Sequence, residues 1–98
     1  ATGYSGNTQF MNVANSYPVR YELRPSERTD AFFGAVDWAH ADVDHAASLM
    51  VHVAQNPADA KAVGQRAAAE IADQFSPERI GNRMRERLML LATKGRDI

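Results

Sequence analysis

Two proline breaks divide the second half of the chain into three helices. Residues 45–91 carry apolar side chains at helical spacing and are interrupted only at Asn56-Pro57 and Ser76-Pro77. Proline is well tolerated at the first position of a helix, because the N–H that it lacks has no partner within the helix there. Asp42 can cap the first helix, because its carboxylate can accept a hydrogen bond from a free backbone N–H of the first turn. The pattern predicts helices over residues 42–55, 57–74 and 77–94.

Each predicted helix has one apolar face. Side chains three or four positions apart lie on the same side of a helix and form a stripe that packs on a neighbouring element. The stripes comprise Ala46, Leu49, Met50 and Val53 in the first helix, Ala60, Val63, Ala67 and Ile71 in the second, and Ile80, Met84, Leu88 and Leu91 in the third. The alanines and Gly64 of the second helix leave a thin face that suits close packing.

The first half of the chain has weaker signals. Residues 1–16 are rich in Gly, Ser, Thr and Asn, which is typical of a loop with a short helical turn. Apolar and polar side chains alternate in residues 17–23, which predicts a half-buried strand with Pro18 at its start or on a sheet edge. Residues 24–41 are expected to form a loop that contains Trp38, in which Val36 and Trp38 can make a very short extended piece.

Composition excludes several classes of function. The 98 residues suit one small domain at most. The net charge is −1, with 11 basic and 12 acidic residues, so there is no electrostatic argument for a nucleic acid or an anionic membrane as partner. Cysteine is absent, which excludes disulfides and thiolate metal sites. No apolar run approaches the roughly 20 residues of a membrane span, and no signal-peptide pattern is present. We expect a cytoplasmic protein.

Two candidate catalytic patterns are weak. The run Gly3-Tyr4-Ser5-Gly6 approaches the nucleophile elbow G-x-S-x-G, but Asn7 stands in place of the last glycine and only two residues precede Gly3. A polar turn is the better interpretation, and its small residues let backbone N–H groups approach a phosphate or a sugar hydroxyl. Asp42 and Asp44 as an acid and base pair have no other group converging on them.

The histidines do not predict a metal site. His45 and His52 share a helix face but lie seven residues apart, which is roughly 10 Å at the rise of a helix. A zinc ion needs each ligand nitrogen or oxygen within about 2.2 Å, so one ion cannot bind both side chains. We interpret Asp42 as a helix cap and the histidines, including His40, as exposed residues, and we expect no metal and no cofactor.

The third helix is basic, with Arg79, Arg83, Arg85 and Arg87. A phosphate-contacting helix is one interpretation. Glu78 and Glu86 are interspersed, however, and no aromatic residue is available for base stacking, so a solvated face or a face that packs on another part of a larger protein is favoured. We interpret Trp38 as a core or lid aromatic in preference to a platform for a sugar, although stacking of its ring on a ligand stays open.

The order and spacing of these segments resemble the end of a glycosyltransferase. Ala1–Met11 has the form A-T-x-x-S-G-N-x-x-F-M, and Asn15–Leu23 is similar to the strand N-S-Y-x-V-x-Y-E-L. Trp38–Asp42 matches W-A-x-x-D, and the helix breaks match N-P and F-S-P-E-R-I. Together these pieces resemble, over nearly the whole chain, the C-terminal segment of the retaining nucleotide-sugar glycosyltransferases of the GT-B fold.

The resemblance implies an α/β fold, namely a fragment of a Rossmann-like GT-B C-terminal domain with one or two short strands followed by three amphipathic helices. It implies that residues 1–16 are the donor-side loop and that Ser5, Gly6 and Asn7 lie close to the donor. In the family the Glu-x7-Glu donor motif precedes this loop, so we expect it before Ala1. The resemblance also assigns the pyrophosphate-binding cations and the acceptor domain to other parts of the parent enzyme. We therefore expect no catalytic residue here and no activity of the chain alone.

A second hypothesis belongs to a different class. Three amphipathic helices and one strand also suit a small, mostly helical interaction module with no catalytic role. In either case a lone strand is not stable in water, and an exposed apolar stripe on the third helix is costly. We therefore expect the isolated chain to form a homodimer or a larger homo-oligomer.

Overall fold

The computed structural model describes residues 1–26 and 36–95. They form a mixed α/β structure with two antiparallel strands and three helices. A short 3-10 turn over Ser5–Gln9 precedes strands β1 (Tyr21–Pro25) and β2 (Asp37–Ala41). Helices α1 (Val43–Gln55), α2 (Pro57–Gln74) and α3 (Pro77–Lys94) follow. The α/β class predicted from the sequence is confirmed.

The helix boundaries follow the local signals in the sequence. The Asp42 carboxylate accepts a hydrogen bond from the His45 N–H at 2.8 Å, and the Ser76 hydroxyl accepts one from the Arg79 N–H at 3.2 Å. Pro57 and Pro77 each occupy the first helical position. Asn56 ends α1, and both its backbone N–H and its side-chain amide donate to the His52 carbonyl at 2.9 Å. The three predicted helices are therefore confirmed to within a residue at each end.

The predicted strand over residues 17–23 is shifted in the structure, where β1 is Tyr21–Pro25. Pro18 has no N–H to donate to a ladder. Val19 instead forms an isolated parallel bridge with Thr2. The Arg20 carbonyl still accepts from the Asp42 N–H at 2.8 Å, as in a continued ladder, but the Arg20 N–H donates to His45 Nδ1 at 2.9 Å instead of to Asp42. The β1–β2 ladder therefore begins only at Tyr21.

The interpretation of residues 24–41 as a loop is wrong at both ends. Arg24 and Pro25 belong to β1, and β2 pairs with it antiparallel, so that Tyr21 faces Ala41 and Arg24 faces Trp38. The short extended piece proposed around Trp38 is confirmed as part of β2. The sequence of β2, DWAHA, is poor in the β-branched residues that favour strands, so its pairing depends on β1 rather than on local preference. Residues 27–35 lie outside the described residues.

The chain divides into two compact units, residues 1–66 and 67–98. In the first unit, the predicted stripe of α1 lines an apolar groove of about 470 Å³ together with Ala1, Tyr17 and Val19. Val63 of α2 is the one buried apolar side chain among the described residues. In the second unit, Ile80 is half-buried and the rest of the α3 stripe, Met84, Leu88 and Leu91, is exposed. Met50 of α1 and Ile71 of α2 are exposed as well, so none of the three stripes is buried along its whole length.

None of the helices in the described part of the chain combines the length and the hydrophobicity that crossing a lipid bilayer requires.

The cap at Asp42 yields a stability prediction. We expect Asp42→Ala to lower the free energy of unfolding by about 1 kcal/mol, because the substitution leaves the His45 N–H without its acceptor. The ion pair with Arg20 at 3.3 Å is solvent-exposed and should add little. Urea denaturation measures the change.

Asp44→Ala is the matched control, because Asp44 lies in the first turn of α1 but forms no side-chain hydrogen bond within the described residues. Its substitution should cost only the few tenths of a kcal/mol expected from the helix dipole. Equal losses for the two variants would contradict the capping role of Asp42.

Candidate functional site

Backbone pairing holds the loop that contains Ser5, Gly6 and Asn7. The Gly3 N–H donates to the Val19 carbonyl at 3.0 Å, and the Val19 N–H donates to the Ala1 carbonyl at 2.9 Å. These two bonds form the parallel bridge between Thr2 and Val19. The loop therefore leaves from the carboxyl end of a short extended segment that runs parallel to its neighbour.

Close packing at Gly3 and a strained residue at Ser5 shape this loop. A β-carbon added to Gly3 would lie 3.0 Å from Pro18 Cβ, so a larger residue there would push the two segments apart. Ser5 has φ 65°, in the left-handed region that a residue with a β-carbon rarely adopts. The Thr8 hydroxyl donates to the Ser5 carbonyl at 2.7 Å and holds the turn. Strained backbone conformations cluster at active sites and ligand-binding loops, and they persist only where the surrounding structure holds them.

The three predicted donor-binding residues are consecutive in one turn and differ in exposure. Ser5 and Gly6 are exposed, and a β-carbon on Gly6 would meet no atom within 4 Å. Asn7 is half-buried, and its amide lies 3.4 Å from the Thr2 carbonyl. The turn offers neutral donors and acceptors to a ligand such as a sugar hydroxyl or a phosphate oxygen. None of the three side chains carries a charge, so the turn can contact a ligand but cannot exchange a proton with it at neutral pH.

The side chains of Tyr4 and Asn15 stabilise the loop through contacts with neighbouring segments. The Tyr4 ring lies 4.9 Å from the Tyr21 ring, centroid to centroid, and joins the loop to β1. Asn15 is buried, accepts from the Asn12 N–H at 2.8 Å and donates to the Phe10 carbonyl at 3.1 Å. The sequence singled out Asn15 only as a match to the glycosyltransferase pattern, and the structure adds that its side chain closes the turn over residues 10–15.

Trp38 does not pack in a core. Its side chain is 66% exposed on β2, on the residue pair opposite Arg24. The interpretation of Trp38 as a core aromatic is therefore wrong, and the alternatives of a lid or a stacking platform stay predictions. A polar groove of about 590 Å³ on the same hairpin is lined by side chains of both signs, including Arg20, Glu22, Arg24 and His40.

The histidines have separate partners. His45 Nδ1 accepts from the Arg20 N–H, whereas His52 Nε2 lies 3.0 Å from Asp59 Oδ2. Neither contact was foreseen, because both partners are set by the fold. Within residues 1–26 and 36–95, no group of three or more His, Asp or Glu side chains is arranged to hold a metal ion.

Tyr17, His52 and Asp59 form a polar cluster that the sequence did not predict. The Tyr17 hydroxyl donates to Asp59 Oδ2 at 2.6 Å, the same oxygen that His52 approaches. The Tyr17 hydrogen bond, followed by that of His52, lowers the pKa of the Asp59 carboxyl, and the bond to Asp59 raises the pKa of the Tyr17 hydroxyl. Tyr17 and Asp59 are separated by 42 positions, so no spacing rule predicts their contact.

The side chains of His52 and Asp59 are about half exposed, and the cluster connects segments that are distant in the sequence. It joins the residues before β1 to the end of α1 and the start of α2. A second long-range contact is the hydrogen bond that Arg66 Nε donates to the Ala14 carbonyl at 2.7 Å. Both contacts hold the residues that follow the candidate loop.

Comparisons with known protein families, with curated proteins and with solved structures find no match to this chain.

The cluster predicts a specific loss of stability in acid. Because folding lowers the Asp59 pKa, the contribution of Asp59 is present above the pKa of an unfolded aspartate and is lost as the pH falls through the folded value. We expect Asp59→Asn to be less stable than the native chain at pH 7. The difference in the free energy of unfolding between the two proteins should become smaller below about pH 4, where Asp59 becomes protonated. Urea denaturation midpoints, measured at a series of pH values from 7 down to below 4, give the pH dependence of stability for the native chain and for Asp59→Asn.

Tyr17→Phe provides the control, because it removes the hydrogen bond that contributes most to the shift. The effect of Asp59→Asn should be smaller in the Tyr17→Phe background than in the native one, since the two residues act on one interaction. A gap between Asp59→Asn and the native chain that is constant over the whole pH range would contradict the assignment.

Proposed function

We propose that the chain is the C-terminal portion of a retaining GT-B-fold glycosyltransferase, which transfers a sugar from a nucleotide-diphosphate sugar to an acceptor. One observation carries the proposal: the Ser5-Gly6-Asn7 turn follows the carboxyl end of an extended segment that pairs in parallel with Val19. In Rossmann-like sheets, ligands bind outside the carboxyl ends of parallel strands. The position of the turn therefore supports a contact with the donor.

In this proposal the turn binds and other parts of the parent enzyme catalyse. Ser5 supplies an exposed hydroxyl, and the backbone of Gly6 is accessible. Both groups suit hydrogen bonds to the donor sugar or diphosphate. The proposal assigns the Glu-x7-Glu carboxylates to residues before Ala1 and the pyrophosphate-binding cations to other parts of the parent enzyme. The parent works mainly by electrostatic stabilisation of the departing diphosphate, without a metal or cofactor held by this chain. We place it in the cytoplasm.

The distribution of apolar surface supports a chain that functions together with further protein. Val63 is the one buried apolar residue in the described part, while Met84, Leu88 and Trp38 are more than half exposed. Apolar patches of this kind mark surfaces that another polypeptide covers. The same observation favours the second candidate function, a helical interaction module with no catalytic role.

The coding sequence before Ala1 discriminates between the two candidates. A Glu-x7-Glu motif followed by a proline-containing hydrophobic strand supports the glycosyltransferase. A start codon immediately before Ala1 supports the interaction module and contradicts the glycosyltransferase.

We predict no measurable binding of UDP-sugars or GDP-sugars to the 98-residue chain alone. Titration calorimetry measures it, and a micromolar dissociation constant, roughly −8 kcal/mol, would contradict the assignment of the donor carboxylates to other segments. Joining the chain to the encoded upstream segment and the N-terminal domain should restore binding. In that longer protein, Gly6→Val should weaken donor binding, whereas Gln9→Ala, at the far end of the same turn, should leave it unchanged.

We also predict that the isolated chain self-associates. A two-stranded hairpin is marginal in water, and its outer edges can pair with a second copy. Exchange of helices between copies is the other route. Sedimentation equilibrium at tens of micromolar should give a mass of at least twice 10.8 kDa. A compact monomer would show instead that the chain is stable without a second copy.

A further inference from the structure

One face of α3 forms an apolar groove that no described residue covers. Met84, Leu88 and Leu91 recur at intervals of four and three, the spacing of a coiled-coil seam, and each is at least half exposed. The groove has a volume of about 570 Å³, and it is lined by Gly81, Met84, Arg85, Leu88, Met89 and Ala92. Met84 and Leu88 thus belong to both the seam and the groove, whereas Leu91 belongs to the seam alone.

The shape of this groove suits the side chains of another helix. Gly81 and Ala92 lie near its two ends and are small, while Met84 and Leu88 stand between them. Alternation of small and large residues lets the ridge of a second helix enter the groove of the first. The 18 residues of α3 extend over about 27 Å at 1.5 Å per residue, which is long enough for two to three heptads.

The basic residues on the two sides of the seam indicate the charge that a partner helix must carry. At 100° per residue, Arg85 lies on one side of the seam, and Arg87 and Lys94 lie on the other. Arg85 and Arg87 are exposed, and neither forms an ion pair with a described residue. By contrast, Arg79, on the opposite side of α3, pairs with Asp73 at 3.1 Å. The cations that flank the seam are thus available to a partner.

We propose that this groove binds an amphipathic helix of a partner protein whose apolar seam is flanked by Glu or Asp. Charges beside a helical seam set the choice of partner, because opposite signs attract across the interface and like signs repel. A second α3 packed antiparallel on this face would place cations opposite cations. The inference is independent of the glycosyltransferase proposal.

The test uses the whole 98-residue chain and two synthetic three-heptad peptides, each with Leu at the seam positions. One peptide carries Glu at the flanking positions and the other carries Lys. Fluorescence anisotropy of each labelled peptide should show that the Glu peptide binds at least about tenfold more tightly. Higher salt should weaken that binding, because surface charges are screened.

Matched variants locate the site. Leu88→Ser should weaken binding of the Glu peptide by about tenfold or more, as expected for a central anchor. Leu90→Ser is its control, because Leu90 is similarly exposed but lies on the opposite side of the helix. Reversing the flanking charges with Arg85→Glu and Arg87→Glu should transfer the preference to the Lys peptide, whereas Arg83→Glu should not. Circular dichroism checks that each variant keeps its helices.

Three outcomes would overturn the proposal. The first is equal affinity for the two peptides, or equal effects of Leu88→Ser and Leu90→Ser. The second is binding to vesicles of phosphatidylglycerol and phosphatidylcholine without binding to the Glu peptide, which would assign the face to a lipid surface. The third is self-association that depends on Leu88 and that the Glu peptide does not displace, which would assign the face to a second copy.

Discussion

The backbone of two consecutive residues, Val19 and Arg20, joins the parts of the first unit. The Val19 N–H and carbonyl bond to Ala1 and Gly3, and the Arg20 N–H and carbonyl bond to His45 and Asp42. All four polar groups are satisfied by three different segments: the candidate loop, the end of β2 and the first turn of α1. Backbone groups need partners when water is displaced, so these bonds define where each segment lies.

This junction explains how a short polar turn can have a defined shape. The Ser5-Gly6-Asn7 turn has little apolar surface of its own, and Ser5 adopts a strained backbone conformation. Such a conformation persists only where the surroundings determine it. The pairing of Thr2 with Val19 on one side and the buried Asn15 on the other supply those constraints. A turn held in this way is preorganised, which is the property that the donor-binding proposal requires, because preorganisation lowers the entropy cost of binding.

The apolar faces of the helices differ in what they contact. The stripe of α1 lines a groove with Tyr17 and Val19, and Val63 of α2 is buried. The stripe of α3 is exposed and flanked by arginines that have no ion-pair partner among the described residues. The glycosyltransferase proposal rests on the position of the Ser5-Gly6-Asn7 turn, whereas the partner-helix proposal rests on the exposed apolar face of α3. They differ in the surface involved, because the donor turn and the α3 groove belong to different units.

The sequence by itself determined the three helices. A helix depends on hydrogen bonds between residues four apart and on caps such as Asp42 and Ser76, so its signals lie within a few positions of each other. The breaks at Pro57 and Pro77 are local in the same sense. The sequence also singled out Ser5, Gly6 and Asn7, but through a resemblance and not through any spacing that implies a site.

Only the tertiary structure decided the strand boundaries and the hydrogen bonds between side chains that are distant in the sequence. β2 has a sequence with little strand preference, and it becomes a strand because β1 supplies its hydrogen bonds. The β1–β2 ladder begins at Tyr21 because the Arg20 N–H donates to the side chain of His45, 25 positions away. Tyr17 and Asp59 likewise meet across 42 positions. Contacts between distant residues depend on how the whole chain folds, and for that reason periodicity and capping, which act within a few residues, do not predict them.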